Sequence, residues 1–253
     1  MTVAIGFRCR DGIVLGADSM LTQSIGHLNV GHHLGIKVQT LTGNQVLAFA
    51  GDVGQAGRFR SMCESSADLI HEATDPLQYP LTLSGAIIKQ FNETGIRDAI
   101  DVSTLLSFVF KGECQLCAFE GSLQPRLLDE HHYYVALGSG KLSADPFLRF
   151  LADIFCADGP PSVSEAIWLT TWIIEHVCAV TPGGVAPPVR ICVIEREEGG
   201  DWGSRTLDTD ELGEHHQSIE DAKAALREWR SLLAPKRTGE TPSSAPPIPK
   251  ITD

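Results

Sequence analysis

Basic residues are scarce in this chain: 20 Lys and Arg stand against 32 Asp and Glu, a net charge of −12 with the histidines neutral. Such a balance argues against a nucleic-acid or anionic-membrane surface, since both need clustered Lys and Arg. No run approaches the roughly 20 apolar residues of a membrane-spanning helix. The first residues also lack the basic segment and apolar stretch of a secretory signal. The expected location is therefore cytoplasmic. Cysteines are few and odd in number, at 9, 63, 114, 117, 156, 178 and 192. Seven scattered thiols do not make a disulfide framework. Cys114-x-x-Cys117 lacks the second pair that a zinc ribbon needs. These cysteines read as buried structural residues.

Several chemical signatures are also missing. Gly138-Ser139-Gly140-Lys141 looks like the end of a phosphate-binding loop, but Val135 and Leu142 stand where that loop needs Gly and Ser or Thr. Gly51-x-x-Gly54-x-x-Gly57 has the wrong spacing for a dinucleotide fingerprint. Neither a GxSxG elbow nor an HExxH helix occurs. Six of the histidines form adjacent pairs, at 32–33, 131–132 and 215–216. Neighbours on a strand point to opposite faces, so such pairs chelate poorly. No metal and no cofactor is expected.

What remains is a chain of 253 residues, 43 % apolar, long enough to bury a sizeable core. Two hairpins open it: Thr2–Phe7 with Gly12–Ala17, then Gly35–Thr40 with Gln45–Ala50. The polar stretch Ser19–Leu34 between them reads as a loop. After Gly51, apolar residues from Val53 to Ile70 recur at helical spacing, and a second helix covers Ser84–Phe91. Strands are expected at Leu105–Phe110, Cys114–Phe119 and Tyr133–Leu137. Ser143, Asp145 and Pro146 signal the next helix, and the capping box Ser162-x-x-Glu165 opens Ala166–Val177. Val189–Ile194 should pair with the segment Trp202–Leu207, and Ser218 should cap a last helix reaching Leu233. Residues 235–253 hold 5 of the 14 prolines and read as a disordered tail. Hairpins alternating with helix pairs point to a layered α+β domain.

The remaining candidate site is the start of the chain. Removal of Met1 before a small residue would leave Thr2 with a free α-amino group, whose pKa of about 7.7–8.0 suits a general base toward its own hydroxyl. Thr2-Val3-Ala4-Ile5-Gly6, followed by Asp11-Gly12-Ile13-Val14-Leu15-Gly16-Ala17-Asp18-Ser19, resembles the opening of a proteasome β-type subunit. Gly35-Ile36-Lys37-Val38, Ala50-Gly51, Gly138-Ser139-Gly140 and Gly183-Gly184 match later family segments in the right order, so the resemblance covers residues 2–195. The chain is similar to bacterial members of the heat-shock-protease and Anbu kind. It carries no propeptide before Thr2 on this reading.

The resemblance implies an α+β four-layer αββα sandwich of the N-terminal nucleophile hydrolases, with an extra C-terminal helix and a disordered tail. The expected divisions are 1–208 for the hydrolase domain, 209–234 for the helical extension and 235–253 for the tail. It further implies a threonine endopeptidase. Thr2 would be the nucleophile, Lys37 and Asp18 its charged partners, Ser139 a hydrogen-bond partner of the amine and the Gly51 N–H an oxyanion donor. Thr22 would bind the substrate backbone, and Phe49 and Val53 would shape the specificity pocket. Implied partners are a homo-oligomeric ring of six- or seven-fold symmetry, stacked or single, and a peptide or unfolded protein substrate. An ATP-dependent unfoldase is left open. Ala179 and Pro182 stand where many active members carry Asp and Ser. That departure keeps two alternatives in play: a catalytically weak or inactive ring subunit, and a small-molecule amidase using the same chemistry.

Overall fold

Two stacked antiparallel sheets form the centre of the computed structural model, which describes residues 2–25, 28–94, 100–181 and 184–233. The chain divides into two units, Met1–Leu207 and Asp208–Asp253. In the first, the strands are β1 (Ala4–Arg8), β2 (Gly12–Ala17), β3 (Met20–Ile25), β4 (Leu28–Leu34), β5 (Val38–Leu41), β6 (Gln45–Gly51), β7 (Val102–Phe110), β8 (Glu113–Glu120), β9 (Gln124–Leu127), β10 (Tyr134–Leu137), β11 (Arg190–Arg196) and β12 (Trp202–Thr206). Its helices are α1 (Val53–Ser65), α2 (Leu69–Glu72), α3 (Gln78–Glu93), α4 (Lys141–Phe155) and α5 (Val163–Val180). One sheet runs β10-β1-β2-β11-β12 and the other β5-β6-β7-β8-β9.

Their facing sides bury Ala4, Leu15 and Val135 from the first sheet against Val46, Leu105 and Leu116 from the second. Close approach is written into the sequence at Gly6, where a Cβ would lie 2.9 Å from Leu105 Cδ1 across the gap. On the outer side of the first sheet lies α5, so close that a Cβ on Gly16 would meet Thr170 Cγ2 at 2.4 Å. Phe147 and Phe155 fasten α4 to Trp172 and Trp168 of α5, with ring centroids 5.7 and 5.0 Å apart. The other outer layer is α1 and α3, whose Phe59, Tyr79 and Leu83 pack on Leu47, Phe108 and Phe119. The order of layers is αββα, as expected.

Register explains the cysteines. Cys114 faces the inter-sheet core and Cys117 the helix side, so the CxxC pair points to opposite faces of β8. All seven cysteines are free thiols.

Five expectations need correction. The Ser19–Leu34 stretch is no loop: β3 and β4 form a separate two-stranded ribbon pairing Met20 with Leu34 and Thr22 with His32. Leu21, Thr22, Val30 and Leu34 suit strand, while Gln23, Asn29, His32 and His33 give the stretch the polar composition that reads as a loop. α3 begins at Gln78, ahead of the expected Ser84, because Pro80 falls in the first turn, where no backbone N–H is needed. Asp75 Oδ1 accepts the N–H groups of Leu77 and Gln78 at 2.8 and 3.2 Å and so helps fix that start. α4 begins at Lys141, with Pro146 inside it. The Gly140 carbonyl accepts the N–H groups of Ser143 and Ala144, which nucleates the first turn before the proline is reached. Finally, α5 has the length and mean hydropathy (1.2) to cross a membrane, contrary to the reading of the sequence, yet 61 % of it is buried inside the protein.

The fifth correction concerns the second unit, which contains α6 (Thr209–Leu233). Its cap is Asp208, not Ser218: Asp208 Oδ1 accepts the Asp210 and Glu211 N–H groups at 2.9 Å. Glu211 Oε2 accepts the Asp208 N–H in return at 3.0 Å. The expected tail at 235–253 lies outside the described residues, as do Pro182, Gly183 and His27.

Candidate active site

β1 and β2 pair through Ala4 and Ala17, and the ladder continues one step further, where the Asp18 N–H donates to the Val3 carbonyl at 3.2 Å. That step brings the Asp18 carboxylate beside the first residues of the chain. Its Oδ1 accepts the Val3 N–H at 3.0 Å, and its Oδ2 accepts those of Met20 at 3.0 Å and Ala186 at 3.4 Å. Lys37, on the approach to β5, completes the arrangement with Nζ 2.9 Å from both carboxylate oxygens. Both side chains are fully buried. Burial pushes the Lys37 pKa below its ordinary value, and the adjacent Asp18 charge opposes that shift. The Lys37 carbonyl accepts the Phe49 N–H at 2.9 Å, which anchors the lysine to β6.

Thr2 is 8 % exposed at the edge of this buried pair. Its nitrogen lies 3.2 Å from Ser139 Oγ, and its carbonyl accepts the Gly140 N–H at 2.9 Å. The turn from β10 into α4 therefore grips Thr2 from the opposite side. Glycine is required here: Gly138 has φ +85°, and a Cβ would lie 2.3 Å from the Thr2 carbonyl oxygen. The same Cβ would come within 3.1 Å of Ala50, so the end of β6 borders the turn. Gly51 follows, with φ +105°, and any Cβ on it would strike the Asp101 carbonyl at 2.1 Å. Both positions use the left-handed backbone that glycine alone enters cheaply.

The structure thus brings Thr2, Asp18, Lys37 and Ser139 together and sets Gly51 beside them. Thr22 lies on β3 with Oγ1 3.3 Å from His32 Nδ1. Phe49 is 7 % exposed within the aromatic core under α1, whereas Val53 is 50 % exposed on the first turn of that helix. Ala179 falls in the last turn of α5. A cavity of about 250 Å³ lies elsewhere, between α4 and β10, and is lined by Arg126, His132, Lys141 and Arg149 among others.

Sequence reasoning missed the segment Ala186–Pro188. Besides the Ala186 N–H on Asp18, the Ser19 hydroxyl donates to the Pro188 carbonyl at 2.7 Å, and the Ser19 N–H to Ala186 at 3.2 Å. Only backbone groups of that segment are involved, so side-chain identity carries no signal for them. A polar residue after Asp18 was the one available hint.

No family model matches the chain, and no curated protein matches it. A solved structure of the Anbu (Gly-1) mutant from Hyphomicrobium sp. strain MC1 is similar over 95 % of this chain and 99 % of that one, with a TM-score of 0.69 and 17 % identity. The likeness shows the fold, which is the proteasome-like N-terminal nucleophile hydrolase fold.

Proposed function

We propose that the protein is a threonine peptidase, active after removal of Met1 and housed in a homo-oligomeric ring. The observation that carries this reading is the fully buried Lys37–Asp18 pair set against the first residues of the chain, with Asp18 also holding the Val3 N–H. Two buried charges are expensive to place in a core. Their position beside a hydroxyl residue at the chain start gives that cost a chemical purpose.

In this mechanism the freed Thr2 amine, oriented by Ser139, takes the proton from its own Oγ as that oxygen attacks the scissile carbonyl. The Lys37 charge favours the alkoxide and keeps the amine unprotonated. Asp18 keeps Lys37 charged within its buried site. The Gly51 N–H stabilises the tetrahedral oxyanion, worth about 3 kcal/mol for donors of this kind. The amine then passes its proton to the leaving group, and water releases the acyl chain by the same route. A peptide laid along β3 near Thr22 would add a strand to the ribbon. A ring would confine the site and protect folded proteins from it.

A second reading, an inactive ring subunit, is favoured by Ala179 and Pro182, which stand in the sequence where many active members of the resembled family carry Asp and Ser. Intact mass before and after treatment with a threonine-directed electrophile separates the two. The expected result is loss of Met1 and one adduct, absent in Thr2→Ala. Burial pushes all seven thiols up, Cys178 to about 11, so cysteine adducts should not confuse the assay at neutral pH. A retained Met1, or a processed chain without an adduct, would favour the inactive subunit.

A further inference from the structure

The chemistry proposed above needs the Met1–Thr2 amide to be hydrolysed by one water, which releases methionine and leaves the Thr2 α-amine. The bond to be cut ends on the Thr2 nitrogen, and the fold closes in around it. Thr2 is 8 % exposed, and Val3, Ala4 and Ile5 are fully buried. β1 is an inner strand, with β10 along one edge and β2 along the other. Ala4 lies level with Leu137 on the first side and with Ala17 on the second. One residue nearer the start, the Val3 carbonyl accepts the Asp18 N–H, and the Val3 N–H donates to Asp18 Oδ1. The Thr2 carbonyl accepts the Gly140 N–H at 2.9 Å. An aminopeptidase holds its substrate as an extended segment through these same backbone groups. In the folded chain they are already taken.

The groups that take them are made at very different times. Asp18 follows Val3 by 15 positions, so one hold on the chain start is available early. Ser139, in the turn that grips Thr2, follows Thr2 by 137 positions. At roughly 5–20 residues per second, a ribosome needs about 7–27 s to make that stretch. Until then β10 and the turn do not exist, β1 has one edge open, and the first residues can enter another enzyme's site.

We infer that Met1 is removed only from the growing chain, by a methionine aminopeptidase, and that folding then shuts the Met1–Thr2 bond away from that enzyme. Folding acts as a deadline. A chain that folds with Met1 in place stays capped for as long as it stays folded. The share of live sites is set by a race between the aminopeptidase and the synthesis of β10 and its turn, and no later step corrects it. Cleavage of a folded chain proceeds only through its small open population. Opening here means unpairing the end of an inner strand, so late removal should be slower by about 100-fold or more. The meaning given to the cap rests on the peptidase reading above; the order of cutting and folding does not.

The test is cell-free synthesis without methionine aminopeptidase but with peptide deformylase, followed by addition of the purified aminopeptidase and intact mass against time. One chain is held on the ribosome after Glu120, before β10 and the turn are made. A second is the full chain, held by a linker that clears the exit tunnel. A third is the full chain after release, shown to be folded by its resistance to thermolysin. A ribosome-held chain cannot close a ring, so enclosure in a particle does not explain a difference between the first two. The chain held after Glu120 should lose Met1 as fast as a synthetic peptide of residues 1–8. The two full chains should lose it about 100-fold more slowly or not at all. A released, thermolysin-resistant chain that loses Met1 at the peptide's rate would overturn the inference. So would a chain held after Glu120 that keeps Met1, because the late-made turn would then not be what shuts the bond away. The Thr2 adduct is read separately. Early removal without an adduct would sink the peptidase reading alone, and an adduct on a chain stripped after folding would sink this inference alone.

Discussion

The two faces of the β5–β9 sheet are filled by different kinds of residue. Against α1 and α3 the core is aromatic, with Phe49, Phe59, Tyr79, Phe91, Phe108, Phe110 and Phe119. Against the other sheet the buried residues are Ala, Val, Ile, Leu and two cysteines, and the one ring packed on them among the described residues is the partly buried Trp202 at the margin. Helix on sheet leaves irregular gaps that large rings fill, while two sheets about 10 Å apart need small side chains. The difference teaches where chemistry can be placed. The aromatic side is a store of stability. The small-residue side reaches the chain start through Ala4, Ala17 and Ala50, and beside those residues the buried Lys37–Asp18 pair is held.

The division can be tested by substitutions on each side. Lys37→Ala should have the largest effect, abolishing peptide turnover and costing about 3–5 kcal/mol of stability by leaving the buried Asp18 carboxylate without its counter-charge. Denaturant melts and an assay on a short fluorogenic peptide would measure both. Phe59 packs edge-on against Phe119 with centroids 5.0 Å apart. Phe59→Ala should cost a similar 3–5 kcal/mol in denaturant melts, yet leave kcat/KM unchanged well below the melting point. A drop in both would mean the two sides are not independent. Gly6→Ala should cost about 1–3 kcal/mol by forcing Leu105 and Leu116 apart across the gap, with a smaller loss of activity.

The finest test is pH. Because Lys37 holds its proton less tightly in the fold than its ordinary value of 10.5, activity should fall with rising pH before that value is reached. Asp18→Asn removes the opposing charge and should move the fall to lower pH. The stability sign is opposite. In that same window the folded state binds fewer protons than the unfolded one, so this group's contribution to stability rises with pH.

Much of this arrangement is legible in the sequence, for reasons that differ by residue. Thr2, Asp18, Lys37 and Ser139 stand in ordered, glycine-marked segments, and strand register then brings Asp18 level with Val3. Gly51 and Gly138 are legible because nothing larger fits. The β3–β4 ribbon is not, since a two-stranded ribbon outside both sheets need not show a run of buried residues. The hold of Ala186 on Asp18 spans 168 positions and uses a backbone N–H, so no local pattern could disclose it. The early start of α4 was masked by Pro146, which reads as an opening signal but is tolerated inside a helix already nucleated at Gly140.

The grip on the Thr2–Val3 peptide has a consequence for the reaction's entropy. Gly140 holds its carbonyl and Asp18 its N–H, so both sides of that bond are fixed before any substrate arrives. A newly exposed chain end usually gains freedom. Here, loss of Met1 would create a terminus that is already immobile. The amine and hydroxyl of one residue then behave as an intramolecular pair of high effective molarity, and folding, not substrate binding, bears the ordering cost.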